Sequence, residues 1–249
     1  MSETSAMMAA ADRLLDAADS TGLILRLCGG LACWYRCDSA RGVAERFGRK
    51  YRDIDFVGYY RQKSQIITLL RSHGYQEDAI TATVPGLRRT IFRNDRAGLR
   101  GDVFYDSLTF CHMIDLRQRL ERTYRTLSLA DLLLQKLQIV ELTAKDVVDT
   151  QMLLLAFEFS PDDEGINRTR VAEVCGANWG FYHTVQLNVE RLTGATSAAS
   201  YLDQAERDRV CGQLEFLSNW LENARKSLPW RVRSLLGDRV RWYATVDEQ

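Results

Sequence analysis

Two aspartates two positions apart, Asp53 and Asp55, lie in the stretch RDIDF, with an apolar residue between them and another after them. On a strand, positions i and i+2 point to the same side. The carboxylates then stand about 6.6 Å apart along one face, from a rise of about 3.3 Å per residue. Ionised carboxylates in an apolar strand need a cation or several donors. Such a pair can serve one divalent cation, or one carboxylate each can serve two. Ions in two-metal phosphoryl sites stand about 3.5–4 Å apart. Magnesium suits this chemistry, because it takes carboxylates together with the phosphate oxygens of a substrate. A third acid on a neighbouring strand would complete the set. Asp102 in GDVFYD is placed to supply it, with Asp106 as a second candidate. The plainer alternative pairs Asp53 with Arg52 at the surface, a contact worth at most about 1 kcal/mol.

Upstream, CGGLA ends one expected strand and opens an expected helix. Gly29 and Gly30 let backbone N–H groups come close to a ligand, and a helix start behind them favours phosphate. A glycine doublet by itself is more simply a turn. Followed by an acid pair on the next strand, it says more. Lys136, between leucines on an amphipathic helix, either neutralises a phosphate or faces solvent. Asp146 and Asp149 either take part in the chemistry or favour a helix start through its dipole. The three histidines, His73, His112 and His183, are scattered and are expected to be structural.

The elements that position these residues come from periodicity. Helical spacing predicts helices over 5–19, 31–47 (interrupted near Gly42) and 61–73, with Gly74 as a C-terminal cap. Strands are expected at 23–28, 54–60, 79–85, 88–94 and 101–110. After about residue 120 the pattern becomes helical throughout. Ser128 and Asp131 precede the core of a first helix, and further helices are expected from 145, 166, 181 and 207. The fold class expected is therefore α/β (α+β), a mixed sheet in the N-terminal half followed by an all-helical C-terminal half. The domains are 1–122 and 123–249.

The bulk numbers bound the function. A chain of 249 residues suits one large domain or two modest ones. Lys plus Arg equals Asp plus Glu at 33 each, which argues against a non-specific nucleic-acid coat. Local excesses remain: nine arginines lie between 88 and 125, available to triphosphate, to an RNA acceptor or to solvent. Six cysteines without a C-x-x-C pair are expected to be reduced thiols rather than a zinc site. No stretch reaches the roughly 18 apolar residues of a membrane span, so a soluble, cytoplasmic protein with no membrane partner is expected.

Taken together, GG at 29–30, RDIDF and GDVFYD resemble the nucleotidyltransferase superfamily, whose pattern is Gly-Gly or Gly-Ser, then D-x-D, then a later strand aspartate. LSLADLLLQKLQIVELTAKDVVDTQMLL is similar to the helical segment of the AbiEii-type members, through Lys136 and the run Lys145-Asp146 to Asp149. The resemblance covers roughly residues 22–157. It implies a mixed sheet with metal-binding aspartates and a helical domain closing the cleft. It also implies transfer of a nucleoside monophosphate from a nucleoside triphosphate (NTP) to a hydroxyl, with release of pyrophosphate. Carried over, Gly29 and Gly30 would contact triphosphate, while Asp53 and Asp55 would bind Mg²⁺. Asp102 would bind metal or act as base, and Lys136, with Asp146 beside it, would serve the nucleotide. The acceptor implied is RNA, protein or a small molecule, with a toxin-like role and an antitoxin-like regulator. Gly30 stands where many active members carry serine, so the alternative is an inactive descendant that acts as a binding or regulatory protein.

Overall fold

Met7, Ala10, Ala11, Leu14, Leu15 and Ala18 recur three or four positions apart. In the computed structural model, which describes residues 3–79 and 86–245, they form the buried stripe of α1 (Glu3–Ser20). Gly22, at φ +71°, ends that helix, and the Leu23 N–H donates back to the Ala18 carbonyl. The chain continues through β1 (Leu25–Cys28), α2 (Gly29–Arg36), α3 (Arg41–Phe47), β2 (Asp55–Gly58) and α4 (Lys63–Ser72). Next come β3 (Gln76–Glu77), β4 (Arg89–Asn94), β5 (Leu99–Tyr105), β6 (Ser107–Thr109) and β7 (Met113–Asp115). The later half holds α5 (Leu129–Leu137), α6 (Ala144–Ala156), β8 (Phe159–Ser160), β9 (Ile166–Asn167), α7 (Arg168–Ala177), α8 (Trp179–Ser197), α9 (Gln204–Asn223) and α10 (Leu228–Ser234). The strand expected over 79–85 lies outside the described residues but for Ala79.

The chain packs as two compact units. The first comprises residues 1–36, 50–108 and 115–127; the second comprises 37–49, 109–114 and 128–249. A single cut between 122 and 123 was the sequence expectation; the units instead interleave along the chain.

In the first unit, five strands form a mixed sheet in the order β1-β2-β5-β4-β3. β2 and β5 run parallel, and the other neighbours are antiparallel. One face is the core: Leu25, Leu27, Phe56, Phe92, Val103 and Tyr105 are buried there. α4 covers that face, with Ile66 against Gly58. The Gly74 N–H closes the end of α4 on the Arg71 carbonyl, as the cap expectation requires, with Gly74 at φ +82°. The outer edge of β1 is not left open, since Leu27 exchanges backbone hydrogen bonds with Arg125 and Leu127. Arg26, on the opposite face, donates through Nε to the carbonyls of Leu120 and Thr123 and so fixes the same segment.

The second unit is mainly helical. Each helix from α5 to α10 starts on a polar side chain that accepts a backbone N–H: Ser128, Thr143, Asn167, Asn178, Asp203 and Ser227. α5 is buried all round. The carbonyls of its last residue, Leu137, and of Ile139 just beyond accept from Asn188. Those of α6 and its exit, Leu154 and Phe157, accept from Gln213.

The mixed sheet followed by a mainly helical half is as expected; within that half β8 and β9 add a short parallel pair around the loop at 161–165. Strands of two residues are too short for alternation to be read. The single helix expected over 31–47 is two, α2 and α3, and the break falls at Cys37 rather than Gly42. Gly42 is tolerated inside α3.

Gly101 makes the closest approach in the sheet. A Cβ there would lie 1.8 Å from the Ile54 carbonyl oxygen, which is backbone and cannot swing away. Gly101→Ala should destabilise the protein by about 3 kcal/mol or more, read as a lower urea midpoint.

Candidate active site

Strand register decides which side chains share a face. β2 and β5 pair Phe56 with Val103, and an outlying bridge pairs Asp53 with Arg100. Both pairs have the same offset, so Asp55 stands beside Asp102 on the next strand, about 4.8 Å away. In parallel strands such partners point to the same side. Asp53, Asp55 and Asp102 therefore share the face opposite Phe56 and Val103. β1 pairs antiparallel with β2, Cys28 against Asp55, and brings the glycine doublet alongside.

Gly29 is at φ +70°, a left-handed conformation that other residues adopt only with strain. A Cβ on it would lie 2.7 Å from Asp55 Oδ2. The absence of a side chain at 29 thus leaves room for that carboxylate at the start of α2. The helix start carries partial positive charge that favours anions. The doublet opens α2 directly, so Gly30 is already within the helix.

Arginines meet two of the acids. Arg100 Nε donates to Asp53 Oδ1 at 2.6 Å, on the exposed margin of the sheet. Arg89, on β4, donates to Asp102 Oδ2 at 2.8 Å. Asp102 Oδ1 is buried and has no hydrogen-bond partner among the described residues. Sequence reasoning marked Arg89 and Arg100 only as members of a basic cluster. The sharper signal was position: Arg100 stands two residues before Asp102 as Asp53 stands two before Asp55. Asp106 is elsewhere. At φ +64° it accepts from the Tyr60 N–H and pairs with Arg88, four residues or about 13 Å along the strand from Asp102.

Among the described residues, no group of three or more His, Cys, Asp and Glu is arranged to hold a metal ion. Magnesium, however, takes as few as one or two protein carboxylates and fills its other positions with water and phosphate. Asp55 and Asp102, side by side, with Oδ1 of Asp102 unpartnered, fit that demand.

Lys136 and Asp146 belong to the second unit. Lys136 Nζ lies 3.1 Å from Asp146 Oδ1 and 2.8 Å from Asp149 Oδ2. Asp149 is fully buried and also takes two hydrogen bonds from Arg49, at 3.0 Å each. Two cations and two carboxylates thus compensate each other. Burial alone would raise the Asp146 carboxyl, but the Lys136 ammonium and the Thr143 hydroxyl and N–H together hold it below the ordinary range.

No family model matches the chain, and no curated protein matches it. Among solved structures, the chain is similar to the solution structure of the antibiotic-resistance factor ANT(2'')-Ia. That match has 13% identity and a TM-score of 0.42 over 77% of this chain and 100% of the other. It is also similar to the crystal structure of ANT(2'')-Ia in complex with adenylyl-2''-tobramycin, at 14% identity and a TM-score of 0.37, over 60% of this chain and 87% of the other. No helix among the described residues is long and apolar enough to cross a membrane.

Two measurements check this geometry. Gly29→Ala should cost about 1–2 kcal/mol from backbone conformation alone, seen in urea unfolding. The stability contributed by Asp146, whose folded pKa is depressed, is present above the unfolded value of about 4 and lost as pH falls through the folded value. Asp146→Asn should therefore lower stability at neutral pH and flatten its decline in acid, read by urea unfolding at pH values either side of about 4.

Proposed function

We propose that this protein is a magnesium-dependent nucleotidyltransferase. In this reading it moves a nucleoside monophosphate from an NTP to a hydroxyl, with the chemistry in the sheet-bearing unit. The observation that carries the reading is the register that sets Asp55 beside Asp102, next to a glycine that leaves the Asp55 carboxylate at a helix start.

Asp55 and Asp102 would hold Mg²⁺. When bound, the cation would neutralise charge on the triphosphate and on the departing pyrophosphate. Gly29 and Gly30 would offer backbone N–H groups to the phosphates without a side chain in the way. Asp53 would join the metal-binding set once released from Arg100. The acceptor hydroxyl oxygen attacks the α-phosphorus, and a new phosphoester bond forms. The bond to the pyrophosphate oxygen breaks, and pyrophosphate leaves with the electron pair. In the alternative role Asp102 would not bind the cation, and its unpartnered Oδ1 would take the hydroxyl proton; with Oδ1 on the cation, the proton would leave to solvent. Catalysis would rest on positioning and charge neutralisation.

The acceptor class, RNA, protein or small molecule, stays open in this reading. The narrower one, a toxin-like modifier held by an antitoxin-like regulator, has its support in the AbiEii-type resemblance of residues 127–154. The reading assigns Lys136 and Asp146 to the fold of the second unit, because their charges are matched there.

The test is incubation with α-labelled NTPs, Mg²⁺ and cell extract. Asp55→Asn and Asp102→Asn should each lower label transfer by at least about 100-fold, and chelation of Mg²⁺ should abolish it. Transfer that persists in both variants would refute the assignment. Metal-dependent nucleotide binding with no transfer from any of the four nucleotides would favour a binding protein.

A further inference from the structure

The two arginines that meet the acids are not equivalent. Arg89 and Asp102 are largely covered, with side chains 30% and 17% exposed, and the Arg89 guanidinium lies over the Phe104 ring. Arg100 and Asp53 are 68% and 44% exposed. Theirs is a solvent-screened pair of the weakly held kind. A divalent cation competes readily for such a carboxylate.

What Arg100 would do next follows from its other neighbour. Across β4 and β5 it stands directly opposite Arg93. Among the described residues, Arg93 pairs with Asp95 alone, at 3.6 Å, in a contact that is itself exposed. An Arg100 that has lost Asp53 is left next to a like charge, and an anion is the group that relieves this. Its planar fork suits phosphate oxygens.

We propose that Arg100 is an exchange ligand. Without substrate it holds Asp53. When a divalent cation takes that carboxylate, Arg100 turns to the phosphates that arrive with the cation. The inference rests on the nucleotidyltransferase reading and adds to it: metal alone binds poorly, because it must displace Arg100 without supplying an anion. Metal and nucleotide together bind well, because the displaced guanidinium finds a partner. The two ligands are thereby coupled through one side chain.

The test uses Mn²⁺ as the probe cation, with free Mn²⁺ followed by its EPR signal, and ATP binding at saturating Mn²⁺ followed by calorimetry. Arg100→Ala should tighten Mn²⁺ binding in the absence of nucleotide by roughly two- to fivefold, the weight of an exposed ion pair. The same change should weaken ATP binding roughly tenfold, the weight of a charge-assisted hydrogen bond. Arg100→Lys should restore part of both. A merely structural role would move the two affinities together. Changes of the same sign, or no change in either, overturn the exchange. If the wild type shows no Mn²⁺-dependent ATP binding, or if Asp55→Asn leaves that binding intact, the nucleotidyltransferase reading falls first and the exchange with it.

Discussion

Parallel strands keep a constant offset along their length, and between β2 and β5 that offset fixes which residue stands beside Asp55. The core enforces it. Phe56, Val103 and Tyr105 are buried on one face, and a slip of β5 by one residue would turn Val103 and Tyr105 outward and send Asp102 inward. The packing that stabilises the first unit is thus the same constraint that aligns its acids. Gly101 contributes from within β5: without a Cβ, it lets the Ile54 backbone come close enough for residues 53–55 to enter the sheet beside 100–102.

Carboxylates gathered on one sheet face repel one another unless counter-charges stand near. Here β4 and β5 supply them, Arg89 to Asp102 and Arg100 to Asp53. The arrangement is graded. The covered pair fixes an orientation, whereas the exposed pair is easily exchanged. In the proposed reading, an acid site compensated this way is stable before a cation arrives and can still take one.

The second unit solves a different electrostatic problem. Lys136, Asp146, Asp149 and Arg49 bring α5, α6 and the exit of α3 together through balanced charges in a buried setting. Such networks contribute little net stability relative to apolar packing, yet removing one member is costly, because it strands its partner. α3 is further tied to α9 by Arg46 and Glu206. The short segment 37–49, which precedes β2 in the chain, therefore packs with helices that follow it by about a hundred residues or more.

What could be read directly from the residues was local. The alternation around Asp53 and Asp55, the caps at Ser128 and Gly74, and the helical spacing of residues 5–19 are patterns carried by neighbours in the chain. They sufficed for a mixed sheet followed by helices, and for Gly29, Asp55 and Asp102 as residues to watch. The break at Cys37 and the two-residue strands β8 and β9 escaped, because neither has a periodic signature long enough to register. The partners of the charges belonged to tertiary structure alone. Asp53 is joined to Arg100 across 47 positions, and Arg49 to Asp149 across 100. Periods of two or 3.6 residues say which face a side chain occupies, but not which distant strand or helix is brought against that face; sheet register and core packing decide that.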